Sequence, residues 1–524
     1  MFRKNEAYKQ HKLFDSYSSL TPKQQKMLEL SIEHSFFQNI FCKINEKTFE
    51  VLYSTISSRP NVAVNRLVGA LILKHLKNWT YEELFKNLNF NILTRHALGV
   101  RDIDEAVFSE ASIYNFQNRI ISHFVETGKD LLVEVFDSLT ADQLKEFGVN
   151  TSIQRGDSFL IGSNIFNYTR LQLLIEVLLR IFKSLNDDDK ERFSHLLAKY
   201  TRQTAGQYIY KLEKEDLPKE INQLAHVYHE LFNSIGPDYN KTSIFKVFER
   251  VYNEHFIVVE NKIEVIEANN LNSSILMSPD DTTATYRHKS GGSKGYSGHI
   301  SETAHPENKL NLITDIVAVP NNVDDSVILA QRLPIMLDKT SDLAEYFIDG
   351  LYGGPAVDEI AEKESITIVQ SGIRGKKTAA KLRAEEDETG AIYAYCSQGQ
   401  RVNAVISTTR KGNYLDTAFF NPDICSQCQL KEICRTNRKT SKKNAEKRIW
   451  YFNKAKLLAY KRMQNIYKIP EERRKIRSNV EATVKELKRG IKNGKSRVRG
   501  MIQNSFYLIL TSIAVNLTRI HNFS

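Results

Sequence analysis

The sequence predicts an α/β fold, a mixed sheet layered with helices, with a helical N-terminal region and two insertions. Three observations predict it. Apolar residues recur at helical spacing up to about residue 145, and short strand-like runs then alternate with helical stretches from 152 to about 370. A β-rich stretch containing cysteines separates that part from a strongly basic helical end. Strands interleaved with helices in this order form a layered sheet, because each element has one apolar face to bury against another layer.

In the first region Val64, Leu67 and Leu71 share one helix face. Thr80, Tyr81, Glu82 and Glu83 have the form of a capping box, opening a second helix with Leu84 and Leu88. A third helix starts near Ser112 and carries Tyr114, Phe116 and Arg119. Short helices joined by tight turns fit a helix-turn-helix reader and equally a plain bundle.

Residues 153–161 read as a strand containing Asp157, and residues 167–253 as a long helical segment with Leu171, Leu174, Val177 and Leu178 on its repeat. The runs 295–301 and 310–319, separated by a polar turn, read as a hairpin. Asp315 alternates with apolar neighbours there and is expected to face solvent, while Asp280 and Asp281 read as loop. Asp324 or Asp325 caps a helix expected to end at Leu333, because Pro334 has no N–H to continue it. Residues 346–348 form a strand ending at Asp349; Gly353 and Gly354 then turn the chain, with Pro355 at the first position of a helix. Residues 366–369 are a short strand. The expected division is 1–145, helical; 146–165 and 274–382, the first parts of the α/β core; 166–273, a helical insertion; 383–445, a β-rich insertion; and 446–524, basic helices completing the core.

At 524 residues the chain exceeds one ordinary core. Its 41% hydrophobic and 26% charged residues are those of a folded protein and exclude a disordered one. A net charge of +11 favours a polyanionic partner, although many ordinary soluble proteins are basic. The uneven distribution is more informative: residues 435–499 hold roughly two dozen Lys and Arg against about five acidic residues, a density suited to phosphate. Trp450, Tyr451, Phe452, Tyr460 and Tyr467 lie among them, available to stack on bases or to pack amphipathic helices. The first ten residues have no apolar stretch, so no signal peptide is expected, and the longest apolar run, 507–517, is too short to span a bilayer. Five cysteines, four of them clustered, fit a reducing cytoplasm better than disulfides.

The strongest local signal is residues 477–488. As one helix at about 100° per residue, Arg477 and Glu481 stand about 40° apart and Glu481 and Lys488 about 20° apart. Val480, Val484, Leu487 and Ile491 form an apolar stripe about 100° away, which puts Glu481 at the border between core and solvent. A metal-binding carboxylate flanked by phosphate-holding cations needs that position; an ordinary ion pair on a solvated helix has the same spacing.

This run resembles the signature of a large branch of insertion-sequence DDE transposases: Tyr, two residues, Arg, three residues, Glu, six residues, Lys. Arg477, Glu481 and Lys488 match, and Arg474 stands at the Tyr position. Gln154 to Ser158, around Asp157, resembles the first-strand aspartate motif, and Phe347 to Tyr352, around Asp349, the second. The order is that of the family and the likeness runs through nearly the whole chain. The resemblance implies an RNase H-like catalytic core, with Asp157, Asp349 and Glu481 holding two Mg2+ or Mn2+ ions. It implies Arg477, Lys488 and Arg474 on DNA phosphates. Two divalent ions about 4 Å apart can stabilise both the attacking and the leaving oxygen of a phosphodiester. They also repel by roughly 17 kcal/mol at an effective dielectric near 20, which is why several carboxylates must meet them.

Cys396, Cys425, Cys428 and Cys434 supply four thiols for a tetrahedral structural zinc or remain free thiols; similar clusters in the resembled branch favour zinc. Cys42 is expected to pack. The function implied is metal-dependent hydrolysis and strand transfer at the inverted-repeat ends of an insertion sequence. The expected partner is double-stranded DNA, with a homodimer on paired ends, no membrane, and a place in the bacterial cytoplasm at the nucleoid. The alternative is a catalytically silent, transposase-derived DNA-binding protein.

Overall fold

The computed structural model describes residues 1–10, 17–56, 60–102, 105–288, 292–372, 380–408, 414–440 and 446–524. Its centre is a mixed sheet of β1 (Ile153–Gly162), β2 (Ser293–Thr303), β3 (Ile313–Pro320), β4 (Glu345–Ile348) and β5 (Thr367–Gln370). The strand order is β3-β2-β1-β4-β5, and the short strand Thr285–Arg287 pairs with the start of β2. The first three strands are antiparallel neighbours, whereas β4 and β5 run parallel to β1 and to each other. This mixed sheet with helices is compatible with an RNase H-like core.

One face of the sheet is covered by α4 (Asp325–Lys339) and α5 (Pro355–Lys363). Leu329, Leu333 and Met336 of α4 meet Tyr346 and Ile348 of β4 in one buried cluster. That packing explains why the helix does not stop at Leu333: it runs on to Lys339 with Pro334 inside it. An interior proline costs on the order of 3 kcal/mol, and the buried turn that follows outweighs it. Asp324 sits at the cap position but its side chain makes no capping bond.

Asp315 also departs from expectation. Its residue is 0% exposed, and its carboxylate meets Arg332 of α4 at 2.5 Å and Lys339 at 3.2 Å. The polar position in an alternating strand faces a second layer here, and cations from that layer satisfy it. The same face holds His299 against the Tyr352 hydroxyl (2.8 Å) and Ser301 against that of Tyr346 (2.6 Å), so a strand as polar as β2 can be buried throughout.

The opposite face is covered by α8 (Met501–Phe523) and, beyond it, by N-terminal helices including α1 (Val64–Lys77), α2 (Tyr81–Phe90) and α3 (Leu131–Glu146). They share one hydrophobic core with Phe159, Ile161, Ile300 and Ile313 of the sheet. Helix α8 is buried around most of its circumference, as expected of a helix apolar on all sides. Asn516 fixes it to the sheet, accepting from the Ile313 N–H (2.8 Å) and donating to the Ile313 carbonyl (3.0 Å). The Thr80–Glu83 capping box is present at the start of α2, three residues past the end of α1.

Five helices between Arg170 and His255 have their own apolar cluster. After β5 comes a second sheet, β6 (Leu382–Glu386), β7 (Ile392–Cys396), β8 (Arg401–Thr408), β9 (Tyr414–Phe420), β10 (Asn437–Thr440) and β11 (Glu446–Phe452), in the order β10-β11-β9-β8-β7-β6. Trp450 and Phe452 are buried in its core and Tyr460 packs against Trp450 at 5.8 Å between ring centres. For these rings packing, and not base stacking, accounts for the pattern; Tyr467 is 67% exposed. Helix α6 (Lys454–Lys468) and α7 (Val480–Leu487) lead back to the first sheet. Among the described residues no helix is long and apolar enough to cross a membrane. Cys42, expected to pack, is exposed.

Candidate active site

The register of the first sheet brings two of the three candidate carboxylates together. Arg155 on β1 stands beside Phe347 on β4 in a parallel pair, and two residues further along each strand come Asp157 and Asp349. Side chains alternate with period two and neighbouring strands lie about 4.8 Å apart, so both aspartates leave the same face of adjacent strands. β4 ends at Ile348, which puts Asp349 at the carboxyl end of a parallel strand, where open α/β sheets gather ligands. The Ser158 N–H donates to Asp157 Oδ1 (2.9 Å) and the Gly350 N–H to Asp349 Oδ1 (2.7 Å).

Gly156 explains part of the local sequence. It points to the opposite face, where a Cβ would lie 2.0 Å from the Tyr346 hydroxyl oxygen. A side chain there would push β1 and β4 apart and separate the two aspartates.

Glu481 arrives from α7. The run expected to be one helix is three pieces, a 3-10 turn over Lys475–Asn479, α7, and a second 3-10 turn over Lys488–Gly490. Arg477 and Glu481 still meet, at 3.3 Å. The Glu481 side chain is 68% exposed, standing clear of the core instead of at its border. Val480, Thr483 and Leu487 are the buried side of α7.

Arg477 joins the acids electrostatically. Its guanidinium lies 2.6 Å from Asp157 and 3.3 Å from Glu481. Burial works against its charge, but Asp157, then Asp349 and Glu481, outweigh that and raise its pKa. Burial raises the pKa of Asp157; Arg477 opposes the shift and the nearby Asp349 adds to it. Lys488 lies 5.3 Å from the Phe159 ring centre, its pKa lowered by burial against the attraction of Asp157. Lys485, Arg489, Lys492, Lys495, Arg497 and Arg499 are exposed around this turn. The side chain of Arg474 lies outside the described residues.

Cys396, Cys425, Cys428 and Cys434 line one small cavity in the second sheet. The Leu430 N–H donates to Cys428 Sγ (3.3 Å) and Gln400 Nε2 to Cys425 Sγ (3.5 Å). Among the described residues, however, no three His, Cys, Asp or Glu stand close enough to hold a metal ion, at the cysteines or at the carboxylates.

Sequence reading missed the contacts beneath the carboxylates, a buried cluster of Arg155, Glu302, Thr483 and Arg519. Its directly bonded pairs are up to 217 residues apart, and no local pattern joins them.

Comparison with known proteins finds two transposase-like segments. Residues 26–119 match the family described as Transposase domain (DUF772), and residues 395–521 match Transposase DDE domain. Both matches are to transposase families, and together they cover less than half of the chain. The second match includes Arg477, Glu481, Lys488 and the four clustered cysteines; Asp157 and Asp349 lie outside both. No curated protein and no solved structure matches the chain.

Proposed function

We propose that the chain cuts and joins DNA at the inverted-repeat ends of an insertion sequence, with Asp157, Asp349 and Glu481 as its catalytic carboxylates in an RNase H-like core. The observation that carries this reading is the pairing of Arg477 with both Asp157 (2.6 Å) and Glu481 (3.3 Å), with Asp349 beside Asp157 in the sheet register. Transposases of this class generally use Mg2+ or Mn2+, and Asp157, Asp349 and Glu481 are the carboxylates that would draw together to hold them. Such ions, when bound, polarise the scissile phosphate and activate the attacking oxygen. The adjacent Asp157 and Asp349 fix one side of the site, and Glu481, exposed on α7, closes it from above. Arg477 and Lys488, with Arg474, hold phosphate oxygens, and Arg477 exchanges its carboxylate partners for phosphate as DNA arrives. The N-terminal helices read the DNA ends, and two chains act together on paired ends.

The test offers the purified chain DNA carrying the repeats that flank its gene, a plasmid target and Mg2+. Cut and joined products support the reading. DNA bound but left intact in both Mg2+ and Mn2+ favours instead a silent DNA-binding descendant.

For the four cysteines, which line one cavity, we propose that they draw together around a structural zinc when it binds. Metal analysis is expected to find about one zinc per chain, the number one tetrahedral thiolate site holds, with Cys425→Ser losing it and melting lower. Zinc-free protein as stable as its Cys425→Ser variant would remove the proposal.

A further inference from the structure

Directly beneath the candidate carboxylates, on the same face of the sheet, lies a closed ionic cluster. Arg155, two residues before Asp157, pairs across the strands with Glu302. Glu302 is 0% exposed. Its Oε1 accepts from Arg155 Nε and Nη2, both at 2.7 Å. Its Oε2 accepts from the Thr483 hydroxyl at 2.7 Å and from Arg519 Nη1 at 2.8 Å.

Three outward bonds of the cluster lead to the segment carrying Glu481, while Arg519 Nη1 also donates to the Asn311 carbonyl at 3.1 Å. Arg155 Nη1 donates to the carbonyl of Ile476, the residue before Arg477, at 3.0 Å. Arg519, from α8, donates to the Thr483 hydroxyl and to Glu486 (2.9 Å). The 3-10 turn before Glu481 is thus held to Arg155 on β1 and the helix to Glu302 on β2, the two joined through the same buried carboxylate. Apolar contacts alone could hold two layers together, and burying charge costs several kcal/mol per ion before pairing repays it. Apolar packing does not fix rotation or slide of a short helix; four directional charged bonds do.

We propose that Glu302, with Arg155, Thr483 and Arg519, is a positioning system that sets the rotation and register of α7 so that Glu481 faces the Asp157–Asp349 pair. This rests on the transposase reading above. None of the four touches the reacting atoms. Thr483 is the informative member, since it lies two residues from Glu481 and its hydroxyl both donates to Glu302 and accepts from Arg519.

The experiment follows Mn2+ binding by electron paramagnetic resonance, with the full chain on DNA carrying the repeats that flank its gene, alongside single-turnover cleavage. Thr483→Val keeps the shape and removes the hydroxyl; Thr483→Ser keeps the hydroxyl. The Val variant is expected to bind Mn2+ about 10- to 100-fold more weakly, the usual cost of losing a partner that orients a metal ligand. Cleavage should fall in parallel and DNA affinity stay unchanged, and Ser should restore both. Arg519→Lys, which retains charge without the planar fork, provides a second reading and should show the same loss should the Val variant not fold. Wild-type Mn2+ titrations and cleavage in folded Thr483→Val, or in Arg519→Lys, overturn the proposal, as does an equal loss in the Val and Ser variants. Glu481→Gln runs as the control: if it too binds Mn2+ and cuts like the wild type, the transposase site itself is wrong; if it alone fails, only the positioning role is.

Discussion

Glu481→Gln is expected to bind end DNA as the wild type does and to cut it on the order of a thousandfold more slowly, a loss of about 4 kcal/mol of transition-state stabilisation. Glutamine matches glutamate in size and removes only the charge that a divalent cation would need. The position makes the experiment clean. With 68% of its side chain exposed and an ion pair to Arg477 at 3.3 Å, Glu481 contributes little to the fold, and substitutions at such sites usually change stability within about 0.5 kcal/mol. Asp157→Asn should lose cleavage to a similar degree, but with a cost in stability, because it also deprives the half-buried Arg477 of its 2.6 Å partner. Fluorescence anisotropy for binding and single-turnover gels for cleavage separate the two effects. Equal cleavage by Glu481→Gln and wild type in Mg2+ would remove Glu481 from the site.

The second large effect is on the fold. Asp315→Asn is expected to cost about 3–5 kcal/mol at neutral pH, the usual penalty for removing one partner of a buried ion pair. Arg332 and Lys339 would be left without the carboxylate that now lies within 2.5 Å and 3.2 Å of them. Burial alone would raise the pKa of Asp315, but Arg332, then Lys339, hold it below the ordinary carboxylate value. A carboxylate lowered on folding stabilises the protein fully above its unfolded pKa, about 3.9, and loses that contribution as pH falls through the folded value. The gap in melting temperature between wild type and Asp315→Asn should therefore be widest near neutrality and close as pH falls below about 4. Calorimetry from pH 3 to 7 measures it; equal melting temperatures at pH 7 would contradict the account.

Asp315 also illustrates what the sequence conveys and what it withholds. Strand-to-strand alternation is local, so the strand containing Asp157, the hairpin that follows it and the strand before Asp349 are legible from period and turn residues alone. Which face of a strand is covered is not local. The face bearing Asp315 is closed by α4, whose Arg332 and, beyond Pro334, Lys339 reach the carboxylate. Helix periodicity likewise relates Arg477 to Glu481 correctly, since the two still pair at 3.3 Å across the change from 3-10 turn to α-helix. It overextends the helix, because bonds from Arg155 and Arg519, 321 and 33 residues away, shape its two ends.

The three acidic motifs were readable one at a time. The adjacency of Asp157 and Asp349 is a property of sheet register, and of Gly156 leaving room for the Tyr346 hydroxyl between β1 and β4. Nothing in the spacing of residues 157 and 349 encodes it. The basic character of residues 435–499 predicted an exposed cationic surface, and the cations around α7 provide one; the aromatic residues among them are largely spent on the core of the second sheet.

The most direct test locates the metal. The DNA-bound chain is charged with Fe2+ in place of Mg2+ and given ascorbate and peroxide, so that radicals formed at the ion cut the nearby backbone. The account predicts breaks close to residues 157, 349 and 481 together, suppressed by excess Mg2+ and absent in Asp157→Asn. Breaks confined to other parts of the chain, with these three segments intact, would contradict it.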